Sequence, residues 1–344
     1  MSQNQQINRR FVLANRPQGA PVPANFRLEE KPIPSPKDGE ILLRTVWLSL
    51  DPYMRIRMNE GFSYAPSVDL GGVMVGESVA RVVESRHAGF QKGDLVVSAH
   101  GWQDYATSNG TGLIKLPADM KNESLALGTL GMPGFSAYTA LMNIGQPKPG
   151  ETVAVAAATG AVGSVIGQLA KLSGCRAVGI AGGAKKCAYA VKELGFDACV
   201  DHADPAFADL LQKACPRGID VYFENVGGKI FDTILPLLNL RARVPVCGLI
   251  AHYNVADQAG TPSGFNTLLF TLIKRLRIEG FIIYDHYAAG LFDPFFQRMK
   301  VLVAEGKVKP HEYVIEGLEH APQGLASLLE GKNFGKVVVR VGNA

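Results

Sequence analysis

The stretch VAVAAATGAVGSVIGQLAKLSGCRAVGIAGGAKKC, from Val153 to Cys187, restricts what this chain can fold into more than any other. It opens on an apolar, strand-like run, Val153 to Ala158, and turns at Thr159-Gly160. Helical spacing follows: Val162, Val165, Ile166, Leu169 and Leu172 fall on one face. Gly174 ends the helix, and Ala177 to Ala181 is a second apolar strand. Strand, glycine turn, helix and strand in this order make one βαβ crossover, which commits the region to a parallel sheet.

The turn reads Ala157-x-x-Gly160-x-x-Gly163. In the dinucleotide fingerprint G-x-G-x-x-G, the glycines allow a tight turn, close approach to a diphosphate and close helix–strand packing. Here the first glycine is replaced and the last two keep their spacing. The helix start offers unpaired N–H groups and a partial positive charge to a phosphate. The glycines alone also fit a purely structural turn; the strand before and the helix after favour dinucleotide binding. An NAD site carries an acidic residue about 20 residues on, which holds the ribose 2′-OH. No Asp or Glu occurs from Thr152 through Lys192; the corresponding place reads Gly182-Gly183-Ala184-Lys185-Lys186. Small residues leave room for a 2′-phosphate and a lysine neutralises it, so NADP(H) is favoured over NAD(H). The alternative is that Lys185 and Lys186 are a solvated helix start.

A length of 344 residues suggests two domains, and 47% hydrophobic with 19% charged residues describes a globular chain with a full core. A formal charge of +4, with the two signs interspersed, argues against nucleic acid as a partner. The first ten residues are polar and lack the apolar core of a signal peptide. The most apolar stretch, Val153 to Ala170, contains the glycine turn and reads as a buried strand and helix, not a membrane span. Five cysteines, Cys175, Cys187, Cys199, Cys215 and Cys247, form no C-x-x-C pair and fit reduced thiols in the cytoplasm.

Residues 1–128 read mainly as strands: Arg10 to Ala14, Phe26 to Lys31, Glu40 to Leu50, Val79 to Ser85, Leu95 to Ser98 and Leu113 to Leu116. Proline and glycine clusters separate them, as expected of a partly open β-barrel. From about Leu125 the spacing turns helical, and then β and α alternate. Strands are expected at Val153–Ala158, Ala177–Ala181, Ala198–Asp201, Asp220–Glu224, Arg243–Leu249 and Arg277–Ile283. This alternation predicts an α/β, doubly wound, mostly parallel sheet of Rossmann type over 129–303. A helix follows near Asp293 to Glu305. Over 304–344 a strand near Tyr313 to Glu316, a helix near Ala321 to Leu329 and the strand Lys336–Val341 are expected to return to the first domain.

The motifs DPYMR (Asp51 to Arg55), GMPG (Gly131 to Gly134), AATGAVGS (Ala157 to Ser164), ENVGG (Glu224 to Gly228) and NFGK (Asn333 to Lys336) stand in this order over nearly the whole chain. The set resembles the zinc-free medium-chain dehydrogenases/reductases, in the prostaglandin reductase and leukotriene hydroxydehydrogenase branch. The resemblance implies a GroES-like barrel domain completed by the C-terminal tail, joined to a Rossmann domain. It implies that Gly160, Ala161, Val162 and Gly163 hold the diphosphate of NADPH and that Lys186 contacts the 2′-phosphate. His202 falls where relatives carry a tyrosine near the adenosine phosphate, a departure that leaves its role open. Asn225 matches an asparagine lining the cofactor groove. Cys247, Gly248, Leu249, Ile250 and Tyr253 match a loop along the nicotinamide ribose. Phe281, Ile282 and Ile283 match a strand whose backbone meets the nicotinamide amide. Asn333 matches a tail asparagine that reaches the cofactor. The resemblance also implies a homodimer.

Zinc-dependent relatives need a Cys, a His and a further ligand around an open position. Residues 1–174 hold no cysteine, and Gly71 to Glu77, where a Gly-His-Glu motif is expected, contains no histidine. No metal is therefore expected. Without a Lewis acid, reduction of an activated C=C bond is easier to support than alcohol oxidation. A nicotinamide delivers hydride to the β-carbon of an enone or enal, and hydrogen-bond donors stabilise the enolate oxygen. Tyr253 is the first candidate donor, with Tyr53 and Tyr64 from the barrel side; a tyrosine with a pKa of about 10 is a competent donor at neutral pH. Tyr53 and Tyr64 also fit packing roles with a satisfied hydroxyl. The expected activity is NADPH-dependent reduction of enones, 2-alkenals or diarylheptanoids such as curcumin. Quinone reduction and non-catalytic NADPH sensing are the alternatives.

Overall fold

The computed structural model describes residues 7–61, 63–255 and 264–342. They divide into two compact units: the residues up to Leu127 together with those from Glu312 onward, and Gly128–His311.

In chain order, the first run of strands is β1 (Ile7–Leu13), β2 (Phe26–Pro32), β3 (Ile41–Ser49), β4 (Ser78–Ser85), β5 (Leu95–Ser98), β6 (Tyr105–Ser108) and β7 (Ile114–Lys115), with the short helix α1 (Tyr53–Arg57) after β3. The second unit opens on α2 (Met132–Ala140) and a π-helical turn, Leu141–Gly145. It then alternates: β8 (Thr152–Ala156), α3 (Gly163–Leu172), β9 (Arg176–Ala181), α4 (Ala184–Lys192), β10 (Ala198–Asp201), α5 (Phe207–Ala214), β11 (Ile219–Phe223), α6 (Gly228–Ile234) and β12 (Leu238–Val246). There follow α7 (Phe265–Lys274), β13 (Arg277–Gly280), α8 (Ile283–Ala288) and α9 (Phe292–Ala304). The tail supplies β14 (Glu312–Glu316), α10 (Ala321–Leu329) and β15 (Lys336–Arg340) to the first unit.

The first unit is built on a seven-stranded sheet, β14-β15-β3-β4-β5-β7 with β6 against β3, beside the hairpin-like pair β1-β2. Strands β3, β5 and β15 are buried along most of their length, on both faces: Leu48, Leu50, Met54, Trp102, Leu325, Val337 and Val339 share one apolar cluster, and Val79, Val97 and Val338 belong to another. Trp102 stacks on Phe26 with ring centres 5.4 Å apart. The tail is therefore part of this core. Residues 304–311 are not: they stay with the second unit, where Lys309 N–H donates to Gln168 of α3 (2.7 Å) and the His311 ring faces Tyr189 of α4.

The second unit is a parallel six-stranded sheet in the order β10-β9-β8-β11-β12-β13. The reversal of direction from β8 to β11 is the topological switch point at which such sheets bind ligands, beyond the carboxyl ends of the strands. The expected strands Arg243–Leu249 and Arg277–Ile283 end earlier, at Val246 and Gly280, and Ile283 opens α8. The residues after Val246 and Gly280 thus leave the sheet at its carboxyl edge, as loop. Helix α3 is buried almost all round, although Leu172, expected on its inner face, is 47% exposed. Gly167 allows this packing: a Cβ there would lie 1.8 Å from the Phe196 ring.

Candidate active site

The turn after β8 is shaped by two residues. Ala157 adopts a left-handed backbone, φ +52°, one residue before Ala158, which stands where the fingerprint has its first glycine. An L-residue adopts this region at a cost, and alanine is the smallest that does. Gly163 opens α3, and a Cβ on it would stand 2.3 Å from Ala157 O. The turn therefore closes only with glycine at 163. Gly160 N–H donates to Ala157 O (2.8 Å), and Gly160 O accepts Ser164 N–H (3.1 Å). Among the described residues the N–H groups of Ala161, Val162 and Gly163 have no partner, and no side chain caps α3. Three unsatisfied donors at the positive end of a helix make an anion cradle.

Gly182 and Gly183 follow β9; Gly183 has φ +92° and its N–H donates to Asp201 Oδ1 (2.9 Å). Asp201 also accepts Ala203 N–H (3.0 Å), and these backbone donors hold its carboxyl below the usual range. The acid nearest this corner is thus occupied in holding a turn. His202 is exposed, and its Nε2 lies 3.1 Å from the place of a Gly182 Cβ, so the ring packs close over this glycine. Lys186, in the first turn of α4, is half-buried, and desolvation lowers its pKa. Lys185 is exposed.

The third corner is the β11 and β12 ends. The Asn225 side chain donates from Nδ2 to Ala156 O (3.2 Å), and its backbone O accepts Ile250 N–H (3.3 Å), so this residue bridges the cradle strand and the next loop. Glu224 is 2% exposed and was missed as a site residue; its signal was a charge closing the apolar strand Ile219–Phe223. Its Oε1 accepts the N–H of Val226 (2.5 Å) and Gly227 (2.8 Å), whereas Oε2 is buried without a partner. Burial raises its pKa to about 7 against those donors. Glu224 O accepts Cys247 N–H (2.9 Å) and Gly248 N–H (3.3 Å). Burial pushes the Cys247 thiol up to about 12, so it stays protonated and unreactive at neutral pH. The Tyr253 hydroxyl turns back on its own loop: it accepts Leu249 N–H (3.2 Å) and leaves no room for a Cβ on Gly248 (2.9 Å). Desolvation raises its pKa, so it is a neutral O–H donor. Phe281 stands edge-on to Phe223 (ring centres 6.4 Å apart), and Ile282 lies in extended conformation before α8.

One structural unit therefore brings together Gly160, Ala161, Val162, Gly163, Lys186, His202, Asn225, Cys247, Gly248, Leu249, Ile250, Tyr253, Phe281, Ile282 and Ile283 along one edge of one sheet. Tyr53, Tyr64 and Asn333 belong to the other unit. There Tyr53 opens α1 and packs on the apolar cluster, Tyr64 is 44% exposed, and Asn333 Nδ2 donates to Gly335 O (2.9 Å).

Two family models match the chain: "N-terminal domain of oxidoreductase" over residues 9–116 and "Zinc-binding dehydrogenase" over residues 161–298. The chain is 56% identical to the NADPH-dependent curcumin reductase of Escherichia coli strain K12, over 99% of both chains. The chain belongs to the medium-chain dehydrogenase/reductase family. Prostaglandin reductase 1 of Mus musculus is 40% identical over 96% of this chain and 98% of its own. The crystal structure of CurA in complex with NADPH from Vibrio vulnificus matches with a TM-score of 0.94 and 51% identity, covering 98% of this chain and 100% of that one. Accordingly, this family member combines a GroES-like and a Rossmann domain. All five cysteines lie in the Rossmann unit, and among the described residues no three of His, Cys, Asp and Glu stand where they could share an ion.

Proposed function

We propose that this medium-chain dehydrogenase/reductase is an NADPH-dependent reductase of the C=C bond in α,β-unsaturated ketones and aldehydes. The observation that carries it is the cradle at Ala157–Gly163. It is shaped for a diphosphate and followed by a corner with two glycines and a half-buried lysine in place of a ribose-binding acid.

When bound, NADPH supplies the hydride that adds to the β-carbon. The chain's residues do the rest. The N–H groups of Ala161, Val162 and Gly163 hold the diphosphate, and Lys186 faces the 2′-phosphate with a charge-assisted contact. Asn225 fixes the loop after β11 against the cradle strand. Tyr253 keeps its oxygen on Leu249 N–H and offers its own proton, to the ribose hydroxyl or to the substrate oxygen where negative charge collects. Water or a neighbouring donor completes the α-carbon. Tyr53, Tyr64 and Asn333 are proposed contributions of the barrel unit to the same reaction.

We also propose a homodimer. Strand β13 pairs only with β12, which leaves one edge of the six-stranded sheet open among the described residues. Helix α7 beside it exposes Phe265 (65%), Leu268 (70%) and Leu272 (74%), a face that a second copy would cover. A cytoplasmic location is proposed from the five unpaired cysteines; among the described residues no helix is long and apolar enough to cross a membrane.

The test is NADPH consumption by purified protein against a panel of enones, 2-alkenals and simple quinones, with product analysis to show which bond is reduced. Saturated ketones or aldehydes are the expected products. Turnover on quinones alone reassigns the chain to quinone reduction; tight NADPH binding without turnover on any acceptor reassigns it to sensing.

A further inference from the structure

We propose that Glu224 is a positioning residue for the nicotinamide half of the cofactor, because its carboxyl holds the turn from which the loop carrying Tyr253 takes its order. Glu224 follows the last residue of β11 and forms a parallel bridge to Val246, the last residue of β12. Its N–H donates to Pro245 O (2.9 Å), so its backbone still belongs to the sheet. Its side chain folds over the turn that follows. There Oε1 accepts the N–H of Val226 (2.5 Å) and of Gly227 (2.8 Å), and the Tyr222 hydroxyl donates to the same oxygen at 3.4 Å. Gly227 (φ +76°) and Gly228 (φ +57°) carry the chain out of the sheet, so those two N–H groups have no strand to pair with. A buried N–H left unpaired is costly, and the carboxyl at 224 satisfies both.

The turn so held is a template for the next loop. Glu224 O accepts Cys247 and Gly248 N–H, Asn225 O accepts Ile250 N–H (3.3 Å), and Val226 O accepts Ala251 N–H (3.0 Å). Leu249 O and Ile250 O then accept His252 N–H (2.9 Å) and Tyr253 N–H (3.2 Å), a short helical turn that returns the Tyr253 hydroxyl to Leu249 N–H. Three consecutive carbonyls beside one acid thus order the loop from Cys247 to Tyr253. The cradle N–H groups and Lys186 lie on the β8–α3 turn and on α4, outside this ladder. A loop ordered in advance loses less entropy when a ligand settles against it.

This role rests on the NADPH site proposed above. The experiment compares the parent with Glu224→Leu and Glu224→Gln, using two ligands: NADPH, and adenosine 2′,5′-bisphosphate, which carries the phosphate end of the cofactor and no nicotinamide. Leucine removes the acceptor; glutamine keeps one at the place of Oε1 and sets its amide at the unpartnered place of Oε2. Glu224→Leu is expected to raise the Kd for NADPH about 10-fold, to leave that for the bisphosphate within about 2-fold, and to lower kcat with a 2-alkenal. Glu224→Gln is expected to recover most of both losses. If Glu224→Leu does not fold, Gly227→Ala carries the same test: in that left-handed backbone a Cβ would stand 3.1 Å from the His252 ring and 3.2 Å from the Leu249 side chain, and so disturbs the ladder without touching the acid. Unchanged NADPH binding, or equal weakening of the two ligands, overturns the positioning role. A parent that binds both ligands and reduces no acceptor overturns the reductase reading alone, and the binding comparison still decides the role of Glu224. A parent that binds neither overturns the cofactor site, and this role with it.

Discussion

Lys336 Nζ lies 2.6 Å from Asp51 Oδ1, both side chains buried, and joins two motifs that are 285 residues apart in the chain. The ammonium also donates to Leu50 O (2.9 Å), and the Ser49 hydroxyl donates to Asp51. Asp51 O in turn accepts Met54 N–H (3.1 Å), at the start of α1. The pair thus fixes the tail strand β15 and the helix carrying Tyr53 in one core. A third charge adjoins it: Glu77 is raised to about 7, first by burial and then by the repulsion of Asp51, with Lys336 opposing.

Breaking this pair leaves an uncompensated buried charge. Lys336→Met is therefore expected to cost about 3–5 kcal/mol of unfolding free energy. Lys336→Met with Asp51→Leu removes both charges and is expected to recover most of that loss. Urea unfolding of the two single variants and the double variant checks this; strictly additive losses would show that the charges do not act as a pair.

The cradle gives a sharp contrast between neighbours in space. Gly163→Ala places a Cβ 2.3 Å from Ala157 O, against backbone that cannot yield cheaply. It is expected to cost about 1–3 kcal/mol of stability or more, and to abolish NADPH binding. Ala157→Gly relieves a left-handed alanine at φ +52°, offset by the greater freedom of glycine in the unfolded chain. Its stability is expected to stay within about 1 kcal/mol of the parent, with binding kept. Titration of NADPH fluorescence and thermal melts of the two variants measure both effects.

This cradle was legible in the sequence because its cause is local. An apolar run, two glycines three residues apart and a helical face lie within 35 consecutive residues, and burial on both faces of β8 demands such a run. Strands β5 and β10 and helix α10 match the bounds read from turn residues and periodicity for the same reason. The ends of β12 and β13 were misplaced because apolar residues continue past Val246 and Gly280, and hydrophobicity does not mark where a ladder stops. The Asp51–Lys336 pair and the unpartnered Glu224 Oε2 were not legible. Partners brought together by long-range topology leave no spacing to read, and a lone acid after a strand looks like any loop charge.

Glu224 makes stability depend on pH. Its ordinary value is 4.5 and burial raises it to about 7 in the folded protein, so the folded state holds a proton that the unfolded state has released between these values. The resulting stability is fully present below about 4.5 and is lost as pH rises through about 7; the gap corresponds to about 3 kcal/mol. Glu77, also raised to about 7, acts in the same direction. Unfolding free energy is thus expected to fall between pH 5 and pH 8, and Glu224→Gln to flatten part of that slope. A slope identical in the variant would show that Glu224 does not titrate in this window.

Lys186→Ala tests the reading of the 2′-phosphate corner. Loss of one charge-assisted contact is worth about 1.5–3 kcal/mol, or about a 10- to 150-fold rise in the Kd for NADPH. NADH, which lacks the phosphate, is expected to lose little. Isothermal titration with both cofactors measures the difference, and equal weakening of the two would detach the lysine from the phosphate.

Tyr253→Phe separates the donor from the loop that holds it. The hydroxyl now accepts Leu249 N–H at 3.2 Å, and removing it leaves that backbone donor to water at the loop surface, where Leu249 is 42% exposed. Folding is therefore expected to survive, with a melting curve close to the parent's. If the phenol stabilises charge on the substrate oxygen, its loss acts on the transition state and kcat falls by about 10²-fold. If it holds only the ribose, KM for NADPH rises instead and kcat is spared. Steady-state kinetics at saturating NADPH with a 2-alkenal distinguishes the two, and kinetics unchanged in both parameters would remove Tyr253 from the reaction.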